Sequence, residues 1–374
     1  MVFDPFPPCP QPPEWRVDWE TLDAAFPWVR NLRGCPQDPI RHAEGDVWTH
    51  VRMVCEAMAA NEAWRALPEL ERKIVYTSAL LHDVAKPACL RTEADGRVSS
   101  RGHSWRGAIM ARRILWRMNV PFQYREQVTA LVRHHLVPLY LADREDPRRL
   151  AIEVSQTART DHLALLSEAD ARGRVCPDPQ KLLDNIGRFA EMCQQSGCLG
   201  KQYPFLSDHA RFLFFRDLSR LPDSPAEEQF ACEVVLMCGL PGAGKDYWIQ
   251  HHLRGWPVVS LDEIRTQMGV APNEAQGEVL NRARELAREY LRNKQSFIWN
   301  ATNLSRQVRH ECVRLYAEHG ARIRIVYREV SSDRLFFQNR QRRNRVPVSV
   351  IERLLDRWET PDRTEAHQID WVVD

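Results

Sequence analysis

The sequence predicts an α + α/β chain, an all-helical domain followed by a parallel α/β domain. Three observations predict it. From Trp15 to about Arg220 apolar residues recur at helical spacing with no strand series among them. Residues 222–229, Pro-Asp-Ser-Pro-Ala-Glu-Glu-Gln, then break the pattern. From residue 230 onward short apolar runs alternate with helical ones, the texture of a parallel sheet covered by helices. The expected boundaries are a Pro-rich arm over 1–14, the helical domain over 15–221, a linker over 222–229 and the α/β domain over 230–374.

Composition narrows the class. The chain has 374 residues, 44% hydrophobic and 27% charged, which excludes a disordered or fibrous protein. Lys and Arg number 52 against 50 Asp and Glu, a net +2, so any surface for nucleic acid must be local. No run approaches the ~18 apolar residues of a membrane span. The first residues have neither the basic start nor the apolar run of a signal peptide. The ten cysteines include no CxxC pair and read as reduced thiols of a cytoplasmic protein.

The helices carry polar heads on apolar faces. Around Val47–Met58 the stripe Val47, Val51, Val54 and Met58 encloses His50. Val75 and Ala79 lead at helical spacing to His82 and Asp83, with Pro87 expected to stop that helix. His103 stands beside Gly102 where another helix begins. Val128, Leu131 and Val132 lead to His135, while His134 lies ~100° round the helix. Leu163 and Leu166 lead to Asp170. Each such group costs stability unless satisfied. Any one of the histidines alone is more readily a hydrogen-bonded core residue than a ligand. Five positions on successive helices reverse that, and their N/O donors suit Mn, Fe, Co, Ni or Zn.

The order His50, His82-Asp83, His103, His135, Asp170 resembles the HD-domain metal-dependent phosphohydrolases over residues 40–175. The wording HAEGDVWTH (42–50), HDVAKP (82–87), GHSWRGA (102–108), LVRHH (131–135) and EADARGR (168–174) carries it. The resemblance implies six ligands to one or two divalent metals. Two cations bridged by Asp83 would hold a phosphate oxygen and acidify a water. Lys86, one turn past the doublet, reads equally as a phosphate-neutralising group and as a solvated surface lysine.

In the second domain, strands are expected at Glu233–Cys238, Pro257–Leu261, Ser296–Trp299 and Ile323–Tyr327. Helices are expected at Glu274–Lys294 and Ser305–His319, the latter closed by Gly320. Directly after the first strand, Gly239, Gly242, Ala243, Gly244 and Lys245 fit GxxxxGK, a loop whose backbone N–H groups close around phosphates of ATP. Asp246 stands where that motif has the Ser or Thr that holds Mg²⁺; a carboxylate can also bind Mg²⁺ or Mn²⁺. Asp262, at the end of the second strand, is placed to act as a general base, a role compatible with capping a helix. Arg265 could clamp an acceptor phosphate. WNATN (299–303) brings polar groups to the same edge. The basic run ending in Arg340, Arg342, Arg343 and Arg345 suits a lid over ATP, with Arg340 and Arg342 nearest the transferred phosphoryl group.

GLPGAGK, SLDEIR, WNATN and NRQRRNRVP together resemble the polynucleotide 5′-kinase branch of P-loop phosphotransferases over 230–374. That resemblance implies Asp262 as general base and Arg265 on the phosphate 3′ to the acceptor hydroxyl. The two halves in this order resemble the bacterial HD-Pnk end-healing enzymes. The expected substrates are DNA or RNA termini bearing 5′-OH, 3′-phosphate or 2′,3′-cyclic phosphate, with a nucleic-acid ligase acting downstream. Two rivals remain at this point. One is an HD nucleotidase fused to a nucleoside or small-metabolite kinase. The other is a nucleotide-sensing switch that transfers nothing.

Overall fold

Asp18, Asp46, Asp146 and Asp178 each accept the backbone N–H three residues on, and each opens a helix. The computed structural model describes residues 9–271, 274, 276–342 and 345–374. Arm residues 1–8 and Arg343 of the expected lid lie outside the described residues. The chain divides into two compact units, Met1–Pro204 and Phe205–Asp374.

In the first unit the main helices are α1 (Trp19–Ala25), α2 (Val47–Ala60), α3 (Glu69–Leu81), α4 (His103–Arg117), α5 (Phe122–His134), α6 (Pro147–Ser155), α7 (Thr160–Arg172) and α8 (Pro179–Gln195). A two-residue hairpin, Arg91–Thr92 with Val98–Ser99, precedes α4. Helices α2, α3, α5 and α7 pack on one another. Val51, Val54, Met58, Val75, Ala79, Val128, Leu131, Val132, Leu163 and Leu166 are buried between them, so the predicted stripes face one core. Pro87 does not stop α3. That helix ends at Leu81, and Pro87 sits in the first turn of a new four-residue helix, Lys86–Cys89, where its missing N–H costs nothing.

The second unit begins with α9 (Asp208–Phe214) and continues β1 (Cys232–Cys238), α10 (Lys245–His252), β2 (Val258–Ser260), α11 (Leu261–Gln267), α12 (Gln276–Arg292), β3 (Phe297–Asn300), α13 (Arg306–Glu318), β4 (Ala321–Glu329), α14 (Ser332–Gln341), α15 (Val348–Leu355) and β5 (Gln368–Val373). The strands form one parallel sheet in the order β2-β3-β1-β4-β5. All four expected strands are present. The fifth was not expected, because this edge strand, none of whose side chains is fully buried, opens on Gln368 and Asp370 and lacks a continuous apolar run. Residues 205–220, expected in the helical domain, belong to the α/β unit. Arg211 donates to the carbonyls of Arg363 and His367, and the Phe212 ring stacks on His367 with centroids 4.0 Å apart. Helical texture alone does not say which core a helix covers.

One buried ion pair fastens this unit's C-terminal segment. Arg309, fully buried on α13, binds Glu365 through two bonds of 2.7 and 2.9 Å and also donates to the carbonyls of Asn303 and Glu359. Removing one partner strands the other charge in the interior. Arg309→Leu should therefore cost about 3–5 kcal/mol in urea unfolding, and Arg309→Leu with Glu365→Leu should recover much of it.

Candidate metal centre and phosphate-binding loop

The six residues expected as ligands converge in the first unit. His50 comes from α2, His82 and Asp83 from the end of α3, His103 from the start of α4, His135 from the end of α5 and Asp170 from α7. Asp83 sits between two groups. Its Oδ2 lies 3.2 Å from His82 Nε2 and 3.6 Å from His50 Nε2, and Asp170 Oδ1 is 3.1 Å from the same His50 nitrogen. Its Oδ1 lies 3.3 Å from His103 Nε2 and 3.9 Å from His135 Nε2. The two imidazole nitrogens within each pair are 3.3 Å apart. Each group clusters tightly enough to hold a cation.

Backbone carbonyls set the rings. His82 Nδ1 meets Ala79 O at 2.7 Å, His103 Nδ1 meets Ser100 O at 2.8 Å, and His135 Nδ1 meets Val132 O at 2.8 Å. His50 Nδ1 lies 3.1 Å from Gly173 O and 2.9 Å from Glu44 Oε1. With Nδ1 carrying the proton, every Nε2 lone pair is left for the centre. Burial pushes His135 down to about 3, with the neighbouring imidazoles adding to it, and burial also lowers His103. Both are neutral at pH 7, the form that ligates metal.

Asp83 supplies the fit test. Both its oxygens are buried, and neither accepts a hydrogen bond from any described residue. Burial would raise its carboxyl, but His82 and Lys86 outweigh that and hold it well below the usual range. Burial would lower His82, but Asp83 outweighs it and raises that ring; a buried, ionised carboxylate set between two imidazole pairs fits a divalent pair. Lys86 is buried, not solvated: its ammonium is an ion pair 2.7 Å from Asp83 Oδ2, off the hydrogen-bond direction, and donates to Gln37 Oε1 at 2.7 Å.

An outer layer escaped sequence reasoning. Glu44 joins His42 and His50, and Arg174 clamps Asp170 with bonds of 2.8 and 2.6 Å. Arg174 is four residues after Asp170, a spacing the sequence offers as a signal. Glu44 lies before α2 in irregular chain, where periodicity says nothing. His134 turns away and meets Thr157 Oγ1 at 3.1 Å.

In the second unit the loop between β1 and α10 has the expected form. Gly239, Gly242 and Gly244 all have positive φ, and a Cβ at Gly239 would lie 2.2 Å from Arg328 O. Lys245 folds back, donating to Gly239 O at 3.0 Å and Leu240 O at 3.1 Å. Burial draws its ammonium below the usual range; Asp246 and Asp262 pull the other way, and Arg342 adds to the lowering. Asp246, Asp262 and Arg342 thus all bear on the charge of this one lysine. Ala243 is buried within the loop, its N–H on Leu240 O.

Asp246 Oδ1 accepts from Asn300 Nδ2 at 2.7 Å, which ties the WNATN segment to the loop. Asp262, in the first turn of α11, is 88% exposed and accepts from Arg265 Nη1 at 2.6 Å. Ser260, not Asp262, caps that helix. Arg340 is exposed in the last turn of α14, and no described contact draws it to the loop. Leu335 of the same helix, which the sequence did not single out, lies 4.0 Å from where a Cβ of Gly242 would be.

The arrangement around Asp83 makes a metal-content prediction. After dialysis against Mn²⁺, Asp83→Ala should retain less than a tenth of the wild-type metal. Asp170→Asn, which touches only the His50 side, should retain about half. Elemental analysis alongside circular dichroism separates metal loss from unfolding.

Comparisons with known proteins agree with this division. Residues 46–170 match the HD domain family, and residues 234–361 match the family described as an AAA domain. A multifunctional CCA protein of Halorhodospira halophila is 36% identical over 115 residues, covering 31% of this chain and 25% of that protein. One from Acidovorax sp. is 29% identical over 188 residues, 46% of this chain and 40% of its own. A third, from Xanthomonas axonopodis pv. citri, is 30% identical over 163 residues, 42% of this chain and 37% of its own. The chain thus spans 25% to 40% of the length of these relatives. No helix among the described residues is long and apolar enough to cross a membrane, and all ten cysteines are free thiols. The chain carries a helical HD domain followed by a P-loop, kinase-like domain on a five-stranded parallel sheet.

Proposed function

We propose that the chain heals nucleic-acid ends. The HD unit removes 3′-phosphate or opens and removes 2′,3′-cyclic phosphate, and the P-loop unit phosphorylates 5′-OH ends with ATP. The observation that carries the first half is the buried Asp83 carboxylate with both oxygens unsatisfied between two imidazole pairs.

In the HD unit a divalent pair would supply Lewis-acid activation of water and neutralise phosphate charge. His50, His82 and Asp170 would hold it on one side and His103 and His135 on the other, with Asp83 between them contributing a carboxylate. Lys86 adds a buried cation beside Asp83 for a phosphate oxygen. Glu44 and Arg174 keep His50 and Asp170 oriented.

In the kinase unit the loop N–H groups and Lys245 leave their resting partners for the ATP phosphates. Asp262 takes the proton of the acceptor hydroxyl as that oxygen attacks the γ-phosphorus, and the bond to the β–γ bridging oxygen breaks to release ADP. Arg265 orients the Asp262 carboxylate and has further N–H groups for the acceptor's 3′-flanking phosphate. Asp246 with Asn300 would hold Mg²⁺, and Arg342 and Arg340 would supply positive charge to the same phosphates. A nucleic-acid ligase would use the resulting ends.

One oligonucleotide with 5′-OH and 3′-phosphate tests both halves. With ATP, Mg²⁺ and Mn²⁺ the fragment carrying its 5′ end should gain the mass of one phosphate and the fragment carrying its 3′ end should lose one, read after nuclease cleavage because the intact mass does not change. Consumption of ATP or of free nucleotides with both ends unchanged would overturn the reading in favour of small-molecule chemistry or a switch. Asp262→Ala should lower 5′ phosphorylation by about 10²–10⁴-fold while ATP binding and 3′ dephosphorylation persist.

A further inference from the structure

Of the six clustered residues only His103 reaches solvent appreciably. Its side chain keeps 12% exposure, against 1% or less for the other five. The centre therefore opens at the start of α4. That opening is bordered by arginine. Arg91 and Arg97 stand on the hairpin before α4, Arg101 on the turn between, and Arg106 on α4 itself.

All four are exposed, Arg101 to 85%. Arg97 pairs with Asp95, and Arg101 only grazes Glu93 at 3.9 Å. Arg91 and Arg106 form no ion pair among the described residues. Arg106 is three residues after His103, so both lie on one helix face, and helical side chains lean back toward the N-terminus. Burial raises the Cys89 thiol, and Arg106 and then Arg91 pull it down, so both charges bear on that thiol. Trp105, one residue before Arg106 on α4, keeps 41% of its surface exposed.

A lone phosphate needs nothing beyond the centre. Several exposed guanidiniums on the hairpin before His103 and on the first turn it opens, with an exposed aromatic side chain on the same turn, suit a chain of phosphates with bases attached. We infer that the hairpin over 91–99 and the first turn of α4 form a docking rim for the sugar-phosphate backbone of a single-stranded polynucleotide whose 3′ end enters the centre. Arg91, Arg101 and Arg106 contact successive phosphates, and Trp105 offers a stacking face to a base near the end. This rests on the phosphoesterase reading above and names its substrate as a polymer.

The test uses the full chain and its Arg91→Gln/Arg106→Gln variant. Two substrates are compared with Mn²⁺ present: a 12-mer with a 3′-phosphate, its 5′ hydroxyl blocked by a fluorophore, and a 3′-mononucleotide. The variant should lose at least tenfold in kcat/KM on the 12-mer and stay within twofold on the mononucleotide. Its plot of log kcat/KM against log salt should be shallower by about 1.4, two phosphate contacts at ~0.7 each for a single strand. Equal loss on both substrates, or none on the 12-mer, would overturn the rim. Anisotropy of the same labelled 12-mer with metal-free protein decides the matter even if no phosphate is released. Binding weakened tenfold or more in the variant supports the rim while the phosphoesterase reading fails, and unchanged binding overturns the rim. Tighter binding of a blunt duplex than of the single strand would also overturn it.

Discussion

The first unit is organised around a carboxylate that the interior would reject if it stood alone. Asp83 is ionised, buried and without a hydrogen bond, and such a group is tolerated only where opposite charge compensates it. Lys86 supplies part of that charge. Five helices must meet at this point to surround it, which fixes how α2, α3, α4, α5 and α7 pack. The apolar stripes and the polar cluster are thus two sides of one arrangement, since the stripes carry or lead up to the residues they deliver.

The second unit depends on close backbone approach instead. The carbonyl of Arg328 on β4 lies where any side chain at Gly239 would have to go, so the neighbouring strand and the loop can be this near only with glycine there. The sheet order puts β3 and β2 on the other flank; the end of β3 brings Asn300 to Asp246, and Asp262 follows the end of β2. An HD domain and a P-loop, kinase-like domain thus share one chain.

Much of this was legible in the sequence, and the reasons are specific. His50, His82, His135 and Asp170 interrupt apolar stripes at helical spacing, so the residues around them reveal which way they face. The loop glycines follow a buried strand directly. Glu44, His42 and Gln37 were not legible, because they precede α2 in irregular chain where no period applies. The boundary near residue 205 was hidden because α9 is as helical as what comes before, and only its partners Arg363 and His367 betray its allegiance. Lys86 stayed ambiguous in sequence because burial of a single lysine leaves no periodic trace.

Three of the imidazoles hydrogen-bond the carbonyl three residues behind them: His82 to Ala79, His103 to Ser100 and His135 to Val132. Each ring is therefore aimed by its own turn of chain, not by a neighbouring helix. Loops between these helices can lengthen or shorten in evolution without turning a single nitrogen, so long as the last turn keeps its shape. Such a centre drifts freely in spacing while its local wording stays put, and a reader of related chains should weigh the few residues around each histidine above the distances between them.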